Sequence, residues 1–155
     1  MPDLQSVVDT SVLIGLSHLG RLDLLPTLLG TVLAPSAVIR EFGSLPDGVQ
    51  ERLVQDTAQV QEHRAQFLGV GEAEVIALAH ELRVELVLID ERRARRYAAA
   101  QGLTVVGTAG ILVQAKRAGL LAAVQPLLET LRRRGFRLSD RLYNHVLTLA
   151  SEKPR

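Results

Sequence analysis

At 155 residues and 47% apolar content, the chain is sized for one domain with a well-packed core, which excludes a disordered polypeptide. Aromatic residues make up only 3%, too few for the stacking platform of an RRM or OB-fold, whereas Leu, Val, Ala and Ile suit aliphatic strands beneath helices. The net charge of +1 singles out no partner, and without cysteine neither a disulfide framework nor a thiolate metal site can form.

The start, Met1-Pro2-Asp3-Leu4, carries no basic segment followed by an apolar one, so no signal peptide is read there. No apolar run approaches the ~20 residues of a spanning helix, and a soluble, cytoplasmic protein without a membrane partner is expected. In chain order, a short strand over Leu4 to Val8 ends at Asp9. Thr10 and Ser11 offer capping oxygens to a helix through Val12, Leu13, Leu16 and Leu19, which Gly20 stops. A second short helix spans about Leu22 to Leu29, and Thr31 to Ala34 is a small strand. Pro35 fits the first turn of a helix carrying Val38, Ile39, Glu41 and Phe42. A turn-rich break from Gly43 to Gly48 precedes a polar helix near Val49 to Gln55, and Thr57 to Gln66 is ambiguous. Gly71 to Arg83 reads as helix and Leu86 to Ile89 as an apolar strand ending at Asp90. Glu91 to Gln101 is an Ala- and Arg-rich helix, Thr104 to Val106 a strand, and Thr108 to Ala118 a helix. Amphipathic helices near Val124 to Arg134 and Ser139 to Ala150 complete the chain.

Short apolar strands alternating with helices predict an open parallel sheet with helices on both faces. Ligands of such sheets bind beyond the carboxyl ends of the strands, where strand order reverses. Two strands end alike, in Val7-Val8-Asp9 and Leu88-Ile89-Asp90. An Asp at such a junction also serves as a plain helix cap, but a pair at equivalent strand ends calls for more. At 100° per residue, Glu72 falls on the side of its helix that holds Val75, Ile76, Ala79 and Leu82, while Glu74 points away, near Glu81. Glu72 therefore stands at the edge of the core, facing a cleft. Glu41 adds a further acid after the second strand.

Clustered, Asp9, Glu41, Glu72 and Asp90 would repel one another unless a cation neutralised them. Mg²⁺ or Mn²⁺ is the matching ion, since both favour oxygen ligands; zinc lacks its cysteine or paired histidine partners. His18, His63, His80 and His145 are scattered and read as surface or structural residues. Gly107-Thr108-Ala109-Gly110 can hold a phosphate through its N–H groups or act as a plain strand-to-helix turn. Arg92, Arg93, Arg95 and Arg96 form one basic cluster and Arg132 to Arg134 another, each also readable as a solvated helix face.

At these residues the chain resembles the PIN domain family. Val7-Val8-Asp9-Thr10-Ser11-Val12-Leu13-Ile14 is similar to its first acidic motif and Ala37-Val38-Ile39-Arg40-Glu41-Phe42 to its second. Gly71-Glu72-Ala73-Glu74-Val75-Ile76-Ala77-Leu78-Ala79 resembles the third and Leu86-Val87-Leu88-Ile89-Asp90-Glu91 the fourth. The later stretches, from Arg92 through Val105-Val106-Gly107-Thr108 to Ala115-Lys116-Arg117-Ala118-Gly119, resemble a prokaryotic branch that includes relatives of VapC-type toxins. The third acid is usually Asp in the family and here is Glu72, with Glu74 nearby.

The resemblance implies one three-layer α/β/α domain over residues 1–155, with a short, mostly parallel sheet of about five strands in the order 3-2-1-4-5. It implies a Mg²⁺- or Mn²⁺-dependent endoribonuclease, the toxin of a toxin–antitoxin pair, with RNA, a small antitoxin protein and a second copy of the chain as partners. Asp9, Glu41, Glu72 and Asp90 would be the catalytic, metal-holding acids, with Asp9 and Asp90 in direct contact with the ion. Thr10, Ser11, Glu74 and Thr108 would support them, and Arg92, Arg93, Arg95 and Arg96 would hold the RNA backbone. The alternative is a catalytically weak or inactive module of the same fold that binds nucleic acid or protein. Helices over residues 124–150 would supply core and, in part, a dimer or antitoxin surface.

Overall fold

Val7, Val8, Val32, Leu33, Val87 and Leu88 are almost fully buried, as strands covered on both faces require. They belong to β1 (Gln5–Val8), β2 (Thr31–Pro35) and β4 (Leu86–Leu88), the central three of a five-stranded, all-parallel sheet. The computed structural model describes residues 4–154, so the reading of the Met1-Pro2-Asp3 start lies outside the described residues. The strand order is β3-β2-β1-β4-β5, with β3 (Val49–Arg52) and β5 (Thr104–Val106) at the edges. This is the expected order.

β3 corrects the polar helix expected near Val49 to Gln55. Only Val49 of this strand is buried, opposite Val32, while Gln50, Glu51 and Arg52 face solvent along an edge. An edge strand with one face exposed carries neither the apolar run nor the alternation that marks a strand in sequence. The ambiguous stretch that follows is α4 (Thr57–Arg64), capped by the Asp56 carboxylate, which accepts from Gln59 N–H.

α1 (Thr10–His18) and α2 (Leu24–Leu29) link β1 to β2, and α3 (Ser36–Phe42) links β2 to β3. α5 (Val70–Leu82) crosses back to β4, packing on β1, β2 and β4. α6 (Arg92–Ala100) joins β4 to β5, and its Ala94 and Ala98, both buried, seat it closely on β5. Right-handed crossovers in opposite directions from β1 put α1 and α2 on one face and α5 and α6 on the other. α7 (Thr108–Arg117) packs against α1 and α2, α8 (Gln125–Arg133) against α1, and α9 (Asp140–Leu149) against α7. Leu128, Leu131, Val146 and Leu147 are core residues of these last helices, and Leu127 is partly buried. Leu142 remains 45% exposed.

His63 and His80, read as scattered, meet between α4, α5 and α6. His63 Nδ1 lies 2.6 Å from the Tyr97 hydroxyl, and both imidazoles bond Gln59 Oε1. The three helices share one partly buried polar network. Among the described residues no helix is long and apolar enough to cross a membrane.

Candidate active site

The β1–β4 and β4–β5 ladders both continue past the strand ends. Asp9 N–H donates to Leu88 O at 2.9 Å, and Ile89 N–H donates to Val106 O at 3.0 Å. Asp9 and Asp90 thereby reach neighbouring places on the carboxyl edge, at the point where β2 lies on one side of β1 and β4 on the other.

Asp9 is the N-cap of α1 and only 4% exposed, yet its side chain makes no capping bond. Burial pushes its pKa up to about 7; the Thr10 N–H opposes the rise, and the charges of Glu72, Glu41 and Asp90 add to it. Such a group calls for a proton or a cation. Thr10 and Ser11 do not cap the helix as expected, because Asp9 already holds the cap position. Thr10 Oγ1 donates instead to Glu41 Oε2 at 2.9 Å, tying α1 to the end of α3. Ser11 Oγ is buried beside the cavity and has no hydrogen-bond partner among the described residues.

Glu41 lies against Gly71, where a Cβ would stand 2.6 Å from its Oε1. Only glycine leaves room for the carboxylate there. Glu72 is half-buried in the first turn of α5 and accepts from the N-cap Gly69 N–H at 3.0 Å, the one half of a capping box that a glycine N-cap permits. Burial raises its pKa; the Gly69 N–H opposes this, Glu91 and Glu41 reinforce it, and Arg93 also opposes it. Asp9, Glu41, Glu72 and Glu91 together line one cavity of about 320 Å³.

Asp90 departs from the expected single pocket. Its Oδ1 accepts from Thr108 N–H and its Oδ2 from Thr108 Oγ1–H, both at 2.7 Å, so it covers the start of α7. Its side chain lines the adjoining cavity, although its charge still acts on Asp9. Burial raises its pKa against the two Thr108 bonds and the nearby Arg95. Gly107 is required here, since a Cβ would stand 2.8 Å from both Asp90 Oδ1 and Arg95 Nη1. The N–H of Thr108 that a phosphate would have used is therefore taken by the protein's own carboxylate.

Glu74 faces elsewhere, accepting from Ala37 N–H at 3.1 Å and so capping α3. The four arginines divide. Arg95 donates to Ile89 O at 2.8 Å, Arg93 acts on Glu72, Arg92 lines a groove against α9, and Arg96 is exposed. Sequence reasoning missed Glu91 and Gly71, and it read Gly107 only as part of a phosphate-holding or plain strand-to-helix turn. Glu91 follows Asp90 directly and caps α6 through Ala94 N–H, at 2.7 Å; that adjacency of two acids was the available signal.

The donor set suits a hard divalent ion. It is all oxygen, it surrounds an orphaned hydroxyl, and glycine at 71 keeps the cradle open. Among the described residues no three such groups meet closely enough to hold an ion by themselves. Mg²⁺ tolerates this, because it keeps several waters and takes only one or two carboxylates.

Neither the curated proteins nor the solved structures contain a match to the chain. A family model described as the PIN domain matches residues 5–152, nearly the whole length and all of the elements above. The chain belongs to the PIN domain family, whose members are in general nucleases that use divalent metals.

Proposed function

We propose that the protein is a Mg²⁺- or Mn²⁺-dependent endoribonuclease acting as the toxin of a toxin–antitoxin pair. The observation that carries the nuclease reading is Asp9: a buried carboxylate at the strand-order switch, pushed up to about 7 by burial and by three other acids. Clusters of perturbed acids in a cleft are a mark of functional sites. Asp9, Glu41 and Glu72 would hold the ion, with Glu91 at the rim and Asp90 adding negative field from the next strand end. The bound ion would supply an acidified water and positive charge for the attacked phosphate.

The chain's own residues do the positioning. Thr10 fixes the Glu41 carboxylate, Gly69 N–H fixes that of Glu72, and Thr108 locks Asp90 in place. Ser11 Oγ is set to orient a water in the cavity, and Arg93, beside Glu72, can offset charge as a phosphodiester approaches. Labelled single-stranded RNA incubated with the protein and Mn²⁺ should be cut, and EDTA should stop the cutting. Expression of the chain alone should arrest growth, relieved by an adjacent small open reading frame. Intact RNA under all metal conditions would favour the inactive-module reading, in which Asp90 merely caps α7.

A further inference from the structure

Asp90 and Arg95 stand at the inner end of a second cavity, of about 480 Å³, whose apolar floor includes Val106, Phe136 and Leu142. A shallower trough of about 610 Å³ continues it outward between α6 and α9, and the two share Leu142 and His145. Charge along this path is one-sided. Arg92, Arg137 and Arg141 line it, and Asp90 at its inner end is the one carboxylate among the described lining residues. None of these three guanidinium groups takes part in an ion pair among the described residues. Nearby Arg132, by contrast, is bonded to Leu138 O and to Asp140.

With acids and bases almost equal in number, unpaired arginines collected along one path repel each other in the free protein and attract a polyanion. Position decides which polyanion. The path includes Asp90, at the strand end next to that of Asp9 and close enough for its charge to act on Asp9, so a polyanion lying in it comes near the acid pocket, as a substrate must and a protein partner need not.

We propose that this trough carries the single-stranded flank of the RNA substrate, with phosphates on Arg92, Arg137 and Arg141 and one unstacked base over Val106, Phe136 and Leu142. The inference rests on the RNA reading above and names a binding site for it. A base can enter the inner cavity only when unpaired, because a duplex keeps its bases stacked and its edges turned inward.

The test is fluorescence anisotropy of a labelled, unstructured oligoribonucleotide in the Asp9→Asn background, titrated at several salt concentrations. For single strands each phosphate contact contributes about 0.7 to the log–log salt slope, so Arg137→Gln/Arg141→Gln should lower it by about 1.4. Affinity near 100 mM salt should fall roughly 10-fold, and Leu142→Ala should weaken binding without changing the slope. Arg133→Gln/Arg134→Gln, outside the trough, serves as the charge control and should leave the slope nearly unchanged. Equal losses in both pairs, duplex binding as tight as single-strand binding, or no RNA binding at all would each overturn the proposal. If the wild type cuts RNA while Arg137→Gln/Arg141→Gln keeps both affinity and slope, the trough is not the track, the nuclease reading survives, and an acidic protein segment becomes the better occupant. If no cutting occurs but the slope drops as expected, the trough binds RNA and the nuclease reading falls.

Discussion

Thr108 satisfies both carboxylate oxygens of Asp90, its N–H meeting Oδ1 and its hydroxyl meeting Oδ2, each at 2.7 Å. One residue thus joins the end of β4 to the start of α7 and fixes the orientation of an acid whose field reaches Asp9. Thr108 is fully buried, so Thr108→Val takes from Oδ2 a partner that sits inside the protein. The expected loss is about 1–3 kcal/mol in urea denaturation, with Thr108→Ser close to wild type.

Gly71→Ala separates function from stability. The new Cβ would meet the far end of Glu41, which can swing away, while Ala favours the helix by up to about 1 kcal/mol. Thermal unfolding should be unchanged or slightly improved. Metal-dependent cleavage should fall at least ~10-fold, because the displaced carboxylate belongs to the proposed metal-holding set.

Glu72 and Glu74 stand two residues apart and should behave oppositely. Glu72→Gln keeps an oxygen for Gly69 N–H but removes a charge from the cavity, so the fold should hold while cleavage is lost. Glu74→Gln retains the cap on Ala37 N–H and should retain cleavage. Steady-state rates on one RNA, with circular dichroism as the folding control, compare the two directly.

Asp9 makes metal-free stability depend on pH. Its native pKa of about 7 exceeds the ordinary aspartate value of 3.8, so the native state binds more protons than the unfolded chain between those limits. The contribution of Asp9 is therefore fully present below about pH 4 and is lost as pH rises through about 7. In EDTA, Asp9→Asn should be more stable than wild type at pH 8, by on the order of a few kcal/mol, and should gain little at pH 4. Urea melts at the two pH values give the comparison.

The central strands and the aspartates that end them were legible because they obey strong local rules, whereas the order of the sheet came with the family resemblance. A doubly covered strand must be apolar, and Val7-Val8-Asp9 and Leu88-Ile89-Asp90 advertise where each strand ends. β3 was not legible, since an exposed edge strand with one buried residue leaves almost no pattern. The split between the Asp9 cavity and Asp90 was hidden for a different reason. It depends on Thr108, eighteen residues downstream, taking both oxygens of Asp90, a tertiary bond that no periodicity encodes. Gly71 reads as an ordinary helix-start glycine and Gly107 as a phosphate-holding or plain turn, whereas the carboxylates of Glu41 and Asp90 lie against them.

Calorimetric titration of the protein with Mn²⁺ at pH 8, beside Asp9→Asn and Glu72→Gln, reaches the metal pocket without depending on which RNA is cut. Saturable binding in the wild type, lost in Asp9→Asn and weakened in Glu72→Gln, is the expected result. No binding by the wild type, or equal binding by Asp9→Asn, would contradict a divalent centre built on Asp9.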